Sequence, residues 1–473
     1  METSNRCMGR WRPLALALLG LALPACSVYP VNPPATRPPG EESLYEESFH
    51  DRSDSLQVIL TFSGGGTRAA AFSYGVLEAL RDTEIQWEGR RRRLLDEVDL
   101  ISSVSGGSFT AAYYGLYGER IFTDFQPAFL KRDVQGSLTR RLLNPWNWIR
   151  LGSPLYGKSE LAADLYDRLL FQGATFADMN RPGAPRVRIN ATDMTLGTGF
   201  SFTQNQFDWI CSDLSRFSVA RAVAASSAVP VLFSPVALHN HAGTCGFTPP
   251  SWITEALENP GDSPRRYRQA RWQFSYLDAD RRPYLHLLDG GLADNLGVRG
   301  AMDQLILEGG IWGRMQREGL DSIREVVFIV VNAEPGLDLR WDRNPGDLAL
   351  SSIVYSATTV PINRYSFETL ELLRSSMAEW RRQVVEQRCG SQPVPDCAEI
   401  DFHLVEVSLG AIPDPQLRAR LQGLPTSFRL PAQDVDALRR AARDVLNQSP
   451  AQRQLLNALG NAPPAENRRA PTP

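Results

Sequence analysis

A serine, a run of three glycines and an aspartate each close an apolar stretch of this chain. Ser105 lies in VDLISSVSGGSFTAAYYG, where β-like residues give way to small ones and then to a helix-like stretch. LQVILTFSGGGTR breaks in the same way at Gly64-Gly65-Gly66, and YLHLLDGGLADN breaks at Asp289. Together these residue types could cleave an acyl ester. A hydroxyl attacks the acyl carbon, backbone amides take up the charge on the carbonyl oxygen, and a carboxylate accepts the proton.

Each feature also has a plainer reading. Serines near glycines usually cap helices or line turns. A strand before Ser105 and a helix after it favour a nucleophile elbow, in which small neighbours tolerate a strained turn. The surrounding Ser103-Val104-Ser105-Gly106-Gly107 follows G-x-S-x-G with Ser in place of the first Gly. Ser102, Ser103 and Ser108 lie close, but only Ser105 falls at the apex. A helix N-terminus there would add about half a positive charge near the oxygen. The triple glycine is either an oxyanion cradle, one donor of which can be worth about 3–4 kcal/mol of barrier, or simply a tight strand-to-helix turn. It lacks the Gly-Lys-Ser/Thr ending of a phosphate-binding loop. Asp289 at a strand mouth would be desolvated and so a better proton acceptor, although Asp-Gly is also a common turn pair. Asp294 and Asn295 read as caps for the next helix. Only His403 follows Asp289 in the order a Ser-His-Asp triad would need, and it sits in the strand-like DFHLVEV. A Ser–Asp dyad needs fewer assumptions.

The elements that must position these groups alternate along the chain. Strand candidates are 56–62, 98–104, 187–190, 284–288 and 326–332, mostly continuous Val/Ile/Leu runs of the kind buried on both faces. Helix candidates are 69–80, 107–117 and 298–307. Phe367, Leu370, Leu373, Met377 and Trp380 recur at helical spacing and read as a core face. A strand at 400–407 and a helix at 433–446 complete the domain. This is an α/β pattern: a mostly parallel central sheet flanked by helices in three layers.

SGGGTRAA, SVSGGS and DGGLADNLG, in this order, resemble the three signatures of the patatin-like phospholipase family. The first is similar to the cytosolic phospholipase A2 branch, whose cradle reads Gly-Gly-Gly-x-Arg. ARAVAASSAVPVLFSPV from Ala220 and NATDM from Asn190 resemble the family as well, so the likeness runs from about Leu56 to Gly300. It implies a patatin-type fold and a lipid acyl hydrolase without cofactor or metal. It also implies Ser105 as nucleophile, Asp289 as base, Gly65 and Gly66 as oxyanion donors, and Arg68 beside a phosphate or other anionic group. The chain departs from the pattern at Ser103, where the elbow has Gly, and at Ala69, where many patatins have Gly. The competing class is a non-catalytic lipid-binding or scaffolding lipoprotein.

Arg6, Arg10 and Arg12, the apolar stretch from Leu14 to Leu23 and then Pro24-Ala25-Cys26 have the shape of an export signal, with an apolar core too short to span a bilayer. Leu23-Pro24-Ala25-Cys26 resembles a bacterial lipobox, and Ser27 would suit outer-membrane sorting. The expectation is a signal peptide over 1–25 and a lipidated Cys26 that holds the protein on the periplasmic face of the outer membrane. An ordinary signal and a soluble periplasmic or secreted protein is the alternative. Residues 26–55 then read as a tether, 56–449 as the hydrolase domain (motifs 56–300, completion 301–449), and 450–473 as a disordered tail.

Export permits disulfides. The short loop between Cys389 and Cys397 makes that pair the simplest, leaving Cys211 with Cys245. A zinc site of Cys211, Cys245, His239 and His241 matches no common module. The net charge of −3 excludes a general nucleic-acid binder. Arg90–Arg93 reads as a solvated loop or, less readily, a contact for anionic headgroups. Pro145, Trp146, Trp148 and Ile149 are candidates for a lid or interfacial patch, although buried packing is the commoner fate of tryptophan.

Overall fold

The computed structural model describes residues 32–36, 52–153, 156–300, 310–317, 322–336, 349–391 and 397–460, with isolated positions between 300 and 349. The export signal, Cys26 and most of 26–55, much of the 298–307 helix and residues 461–473 lie outside the described residues.

The strands are β1 (Leu56–Phe62), β2 (Glu84–Trp87), β3 (Arg90–Arg93), β4 (Val98–Val104), β5 (Arg186–Asp193), β6 (Gly199–Phe202), β7 (Val236–His239), β8 (Tyr284–Asp289), β9 (Glu325–Asn332) and β10 (Asp401–Ser408). β1 and β9 show why apolar runs become strands here. Val58, Leu60 and Phe62 face one core together with Val327, Ile329 and Val331. Ile59 faces a second core with Val326, Phe328 and Val330. Since both faces are covered, both parities must be apolar.

Among the described residues, the main sheet runs β10-β9-β1-β4-β5-β8-β7, with β6 paired to β5. The steps from β10 through β9, β1 and β4 to β5 are parallel. On one face pack α1 (Gly66–Asp82), α2 (Gly106–Tyr117) and α3 (Val219–Ser226), with α5 (Ala432–Gln448) against α1. The other face is covered by α4 (Leu350–Ser391), which buries Leu370, Leu373, Met377 and Trp380 but leaves Phe367 exposed. The result is a three-layer α/β domain.

Several expectations change. β8 pairs antiparallel with both β5 and β7, and its residues alternate between exposed and buried instead of being buried on both faces. That is how antiparallel strands with one wet face behave. Arg90–Arg93 is a hairpin strand, not a loop. Glu88 and Gly89 both have positive φ, the conformation of a two-residue hairpin turn. Arg91, Arg92 and Arg93 pair with Glu84, Glu97 and Asp96. The segment expected as a disordered tail is helical at its start. Pro450–Ala458 is a helix, capped by Ser449 and anchored by the buried Leu455 and Leu459. Part of the expected tether is pinned: the Ala35 amide bonds to the Cys211 carbonyl at 2.8 Å and Pro34 bridges Ser212.

Candidate active site

Register alone brings Ser105 and Asp289 together. Val104 pairs with Asn190, and Ala191 pairs on its other side with Asp289. One residue beyond Val104, Ser105 is therefore level with Asp289, with the small Ala191 as the strand residue between them. Two strand spacings make this about 10 Å between backbones, a span that the two side chains and the bend of the elbow shorten. Because β8 is antiparallel, it enters from beyond the strand ends and delivers its last residue back to the elbow.

Ser105 caps α2 with φ 48° and ψ −118°, a region that costs a non-glycine residue of the order of 1–3 kcal/mol. The surroundings hold it there. The Ser105 amide donates to Ser226 Oγ at 2.8 Å, and that hydroxyl in turn donates to the Asn190 carbonyl at 2.6 Å. Ser108 Oγ lies 3.0 Å from the same Ser226 oxygen. Asn190 Nδ2 also donates to Ser102 Oγ and to the Ser103 carbonyl, each at 3.0 Å. Of the neighbouring serines, Ser102 and Ser103 spend their hydroxyls on backbone carbonyls of Gly297 and Arg188. Their roles are structural.

Glycine is required where the elbow meets the cradle. A Cβ on Gly106 would fall on the Gly66 carbonyl, and one on Gly64 would lie 3.2 Å from Ser105 Cβ and 2.5 Å from Asn295 Oδ1. The cradle offers fewer donors than three glycines suggest. The Gly64 amide is already bonded to the Asn295 carbonyl at 3.0 Å. Among the described residues, the amides of Gly65 and Gly66 have no protein acceptor. Asn295 is thus part of the clamp on the cradle, whereas Asp294 does cap, accepting from the Leu296 and Arg299 amides.

Asp289 is 8% exposed and, among the described residues, faces no cationic partner. Burial pushes its carboxyl up to about 6; the Gly291 amide, 2.8 Å from Oδ1, and the Ser105 hydroxyl hold it back from rising further. A carboxylate of this affinity accepts a proton near neutrality better than an exposed aspartate does.

Arg68, which the resemblance puts beside an anionic group, is held by protein acceptors. It is 1% exposed, its Nε donates to the Ala333 carbonyl at 3.0 Å, and its two terminal nitrogens reach the Leu424 carbonyl and Thr426 Oγ1. The guanidinium braces the C-terminal loop against the cradle. That loop carries Ser427, whose carbonyl accepts from the Thr67 amide at 2.9 Å. Sequence reasoning misses Ser226, Asn295 and Ser427 as parts of the site. Ser226 and Asn295 lie inside the motif blocks that begin at Ala220 and Asp289, but nothing local marks Ser427.

His403 lies at the wrong end. It pairs with Val327, which pairs with Val58 and through it with Val98, seven residues before Ser105. That is roughly 20 Å along the strands, and its Nε2 is 2.6 Å from Glu325 Oε2. A Ser-His-Asp triad through His403 is ruled out. Cys211–Cys245 and Cys389–Cys397 are disulfides, with Cα separations of 5.5 and 5.3 Å. Neither Cys211 nor Cys245 can therefore join His239 and His241 around zinc. A cavity of about 600 Å³ is lined by Asn190, Ala191, Gly290 and Arg299, beside the strand end that carries Asp289.

Residues 60–302 match the family model described as patatin-like phospholipase. No curated protein matches the chain by sequence. Among solved structures, the human GIVD cytosolic phospholipase A2 is similar at 14% identity and a TM-score of 0.43, over 88% of this chain and 64% of that one. VipD from Legionella pneumophila is similar at 13% identity and a TM-score of 0.32, over 86% and 67%. The chain spans less than two thirds of the length of the human protein.

Proposed function

We propose, from the premise that this chain belongs to the patatin-like phospholipase family, that it hydrolyses acyl esters of lipids with Ser105 and Asp289. Ser105 Oγ forms a bond to the acyl carbon as its proton passes to Asp289. The Gly65 and Gly66 amides receive the oxyanion. Asp289 then protonates the departing alkoxide, and the carbonyl–alkoxy bond breaks to leave an acyl-enzyme. Water adds to that ester with its proton going to Asp289, the fatty acid departs, and the proton returns to Ser105.

The observation that carries this reading is one pairing. A strained serine at a helix N-terminus stands beside a buried carboxylate whose affinity for protons is raised and which no cation among the described residues neutralises. A structural serine would have no reason to bear that backbone cost. The test is release of fatty acid from phospholipid vesicles and membrane lipid extract, followed by mass spectrometry. Ser105→Ala should lower turnover by at least a thousandfold with an unchanged circular dichroism spectrum. Retained turnover assigns the chemistry elsewhere. We extend the proposal to location: acylation at Cys26 would hold the domain at a membrane surface, and the mass of the mature N-terminal peptide reads this directly.

A further inference from the structure

The helix Pro145–Leu151 has no buried residue, yet it carries Trp146, Trp148 and Ile149, which are 78%, 58% and 59% exposed. Leu143, at the end of the preceding helix Val134–Leu143, is 66% exposed. Trp146 and Ile149 are three apart and share a helix face. A second exposed apolar group is Val231 and Leu232, at 74% and 65%. Val231 is a β-branched residue held at φ 73°, an outlier that an ordinary surface turn has no reason to keep.

Both groups grow out of the walls of the candidate site. Val134–Leu143 begins at the loop that overlies the cradle: the Gln135 amide donates to the Phe428 carbonyl at 3.2 Å, next to the Ser427 whose carbonyl binds Thr67. The Val231 turn begins three residues after Ala228, whose carbonyl accepts from the Asp289 amide at 3.0 Å. The two are also joined to each other, since Ser234 Oγ accepts from the Ser159 amide at 3.2 Å just beyond the tryptophan helix. They therefore rim the same side of the domain.

The charge along the segment that carries the first group is one-sided. From Val134 to Ser159 the chain contains Arg140, Arg141, Arg150 and Lys158 and no acidic residue, within a protein whose net charge is −3. Arg150 is occupied by Asp164 at 3.1 Å, which leaves Arg140, Arg141 and Lys158 to set the sign of the rim. Tryptophan beside arginine, on a short helix with no inward face, is the composition of a segment that lies in the headgroup layer of a bilayer.

We propose that Leu143, Trp146, Ile149, Val231 and Leu232 enter the headgroup region of a bilayer containing anionic phospholipid, with Arg140, Arg141 and Lys158 meeting its phosphates. The inference rests on the proposed activity only for its purpose, which is to set the buried Ser105 against the layer that holds its ester. This contact is separate from any lipid on Cys26.

The test uses the full chain and vesicles of phosphatidylcholine with a minority of phosphatidylglycerol, their acyl chains brominated to quench tryptophan at short range. Wild type should be quenched more than W146F/W148F, a difference to which the N-terminus contributes nothing. R140Q/R141Q should bind these vesicles several-fold more weakly, with the gap closing at high salt. Leu143→Ser, Trp146→Ser and Ile149→Ser together should weaken binding at least tenfold and leave hydrolysis of water-soluble p-nitrophenyl butyrate at the wild-type rate. Equal quenching in wild type and W146F/W148F overturns the proposal, as does quenching that is the same without phosphatidylglycerol. A wild type that shows the quenching difference but cleaves no ester refutes the proposed activity and leaves the docking surface standing.

Discussion

Two buried aspartates sit at opposite ends of the same group of strands. Asp99, at the start of β4, is pushed up to about 7 by burial, and Asp289, at the end of β8, to about 6. By that measure Asp99 is the more perturbed. Its surroundings differ: Arg52 lies 3.7 Å away, and the Val58 amide donates to Oδ2 at 2.7 Å, tying β1 to β4. Among the described residues no hydroxyl or thiol bonds to its carboxylate. Asp289 instead faces a hydroxyl on a strained backbone, with glycines packed too closely for any side chain. A raised proton affinity marks burial; a reactive neighbour marks chemistry.

The comparison predicts its largest contrast in turnover. Asp289→Asn should lower kcat/KM by at least a thousandfold, while Asp99→Asn should leave it within about twofold per folded molecule, both read by steady-state ester hydrolysis. Equal losses would erase the distinction.

The pH profile sharpens it further. As the proposed base Asp289 would act ionised, so kcat/KM should rise with pH through about 6 and then level off. The acid limb should persist unchanged in Asp99→Asn. A limb near 7 that disappears in that variant would transfer the role to Asp99.

Stability should show the cost of keeping Asp289 charged. Its folded affinity is above the ordinary 3.8, so the stabilising contribution is full below about 4 and is lost as pH rises through about 6. At pH 8 the buried charge then costs roughly 3 kcal/mol. Asp289→Asn, which keeps an oxygen for the Gly291 amide, should therefore be more stable than wild type at pH 8. The gain should vanish below about pH 4 in urea titrations. A less stable variant at pH 8 would mean the carboxylate is structurally favoured.

Much of this was legible in the chain, for reasons that can be named. β1 and β4 run over the residues expected because two-faced burial leaves uninterrupted apolar runs. The elbow and the aspartate were legible because a buried strand that breaks abruptly into glycines marks a backbone that something must approach closely. The direction of β8 was not, since YLHLLD reads equally well in either sense until its neighbours are known. For Arg68 only the resemblance spoke, and its protein acceptors at Ala333, Leu424 and Thr426 were hidden because they lie hundreds of residues away. The occupied Gly64 amide was hidden for the same reason. The Pro450–Ala458 helix was obscured by its Ala, Asn and Pro content, although a Ser-Pro start and Leu455 and Leu459 at helical spacing were there to be read.

The most direct measurement is covalent. Treating the full chain with an alkyl fluorophosphonate, digesting it and locating the adduct by mass spectrometry asks whether one hydroxyl is activated. The account predicts a stoichiometric adduct on the peptide containing Ser105, formed far more slowly in Asp289→Asn and at normal speed in Asp99→Asn. An unlabelled protein, or an adduct on another serine, would contradict it.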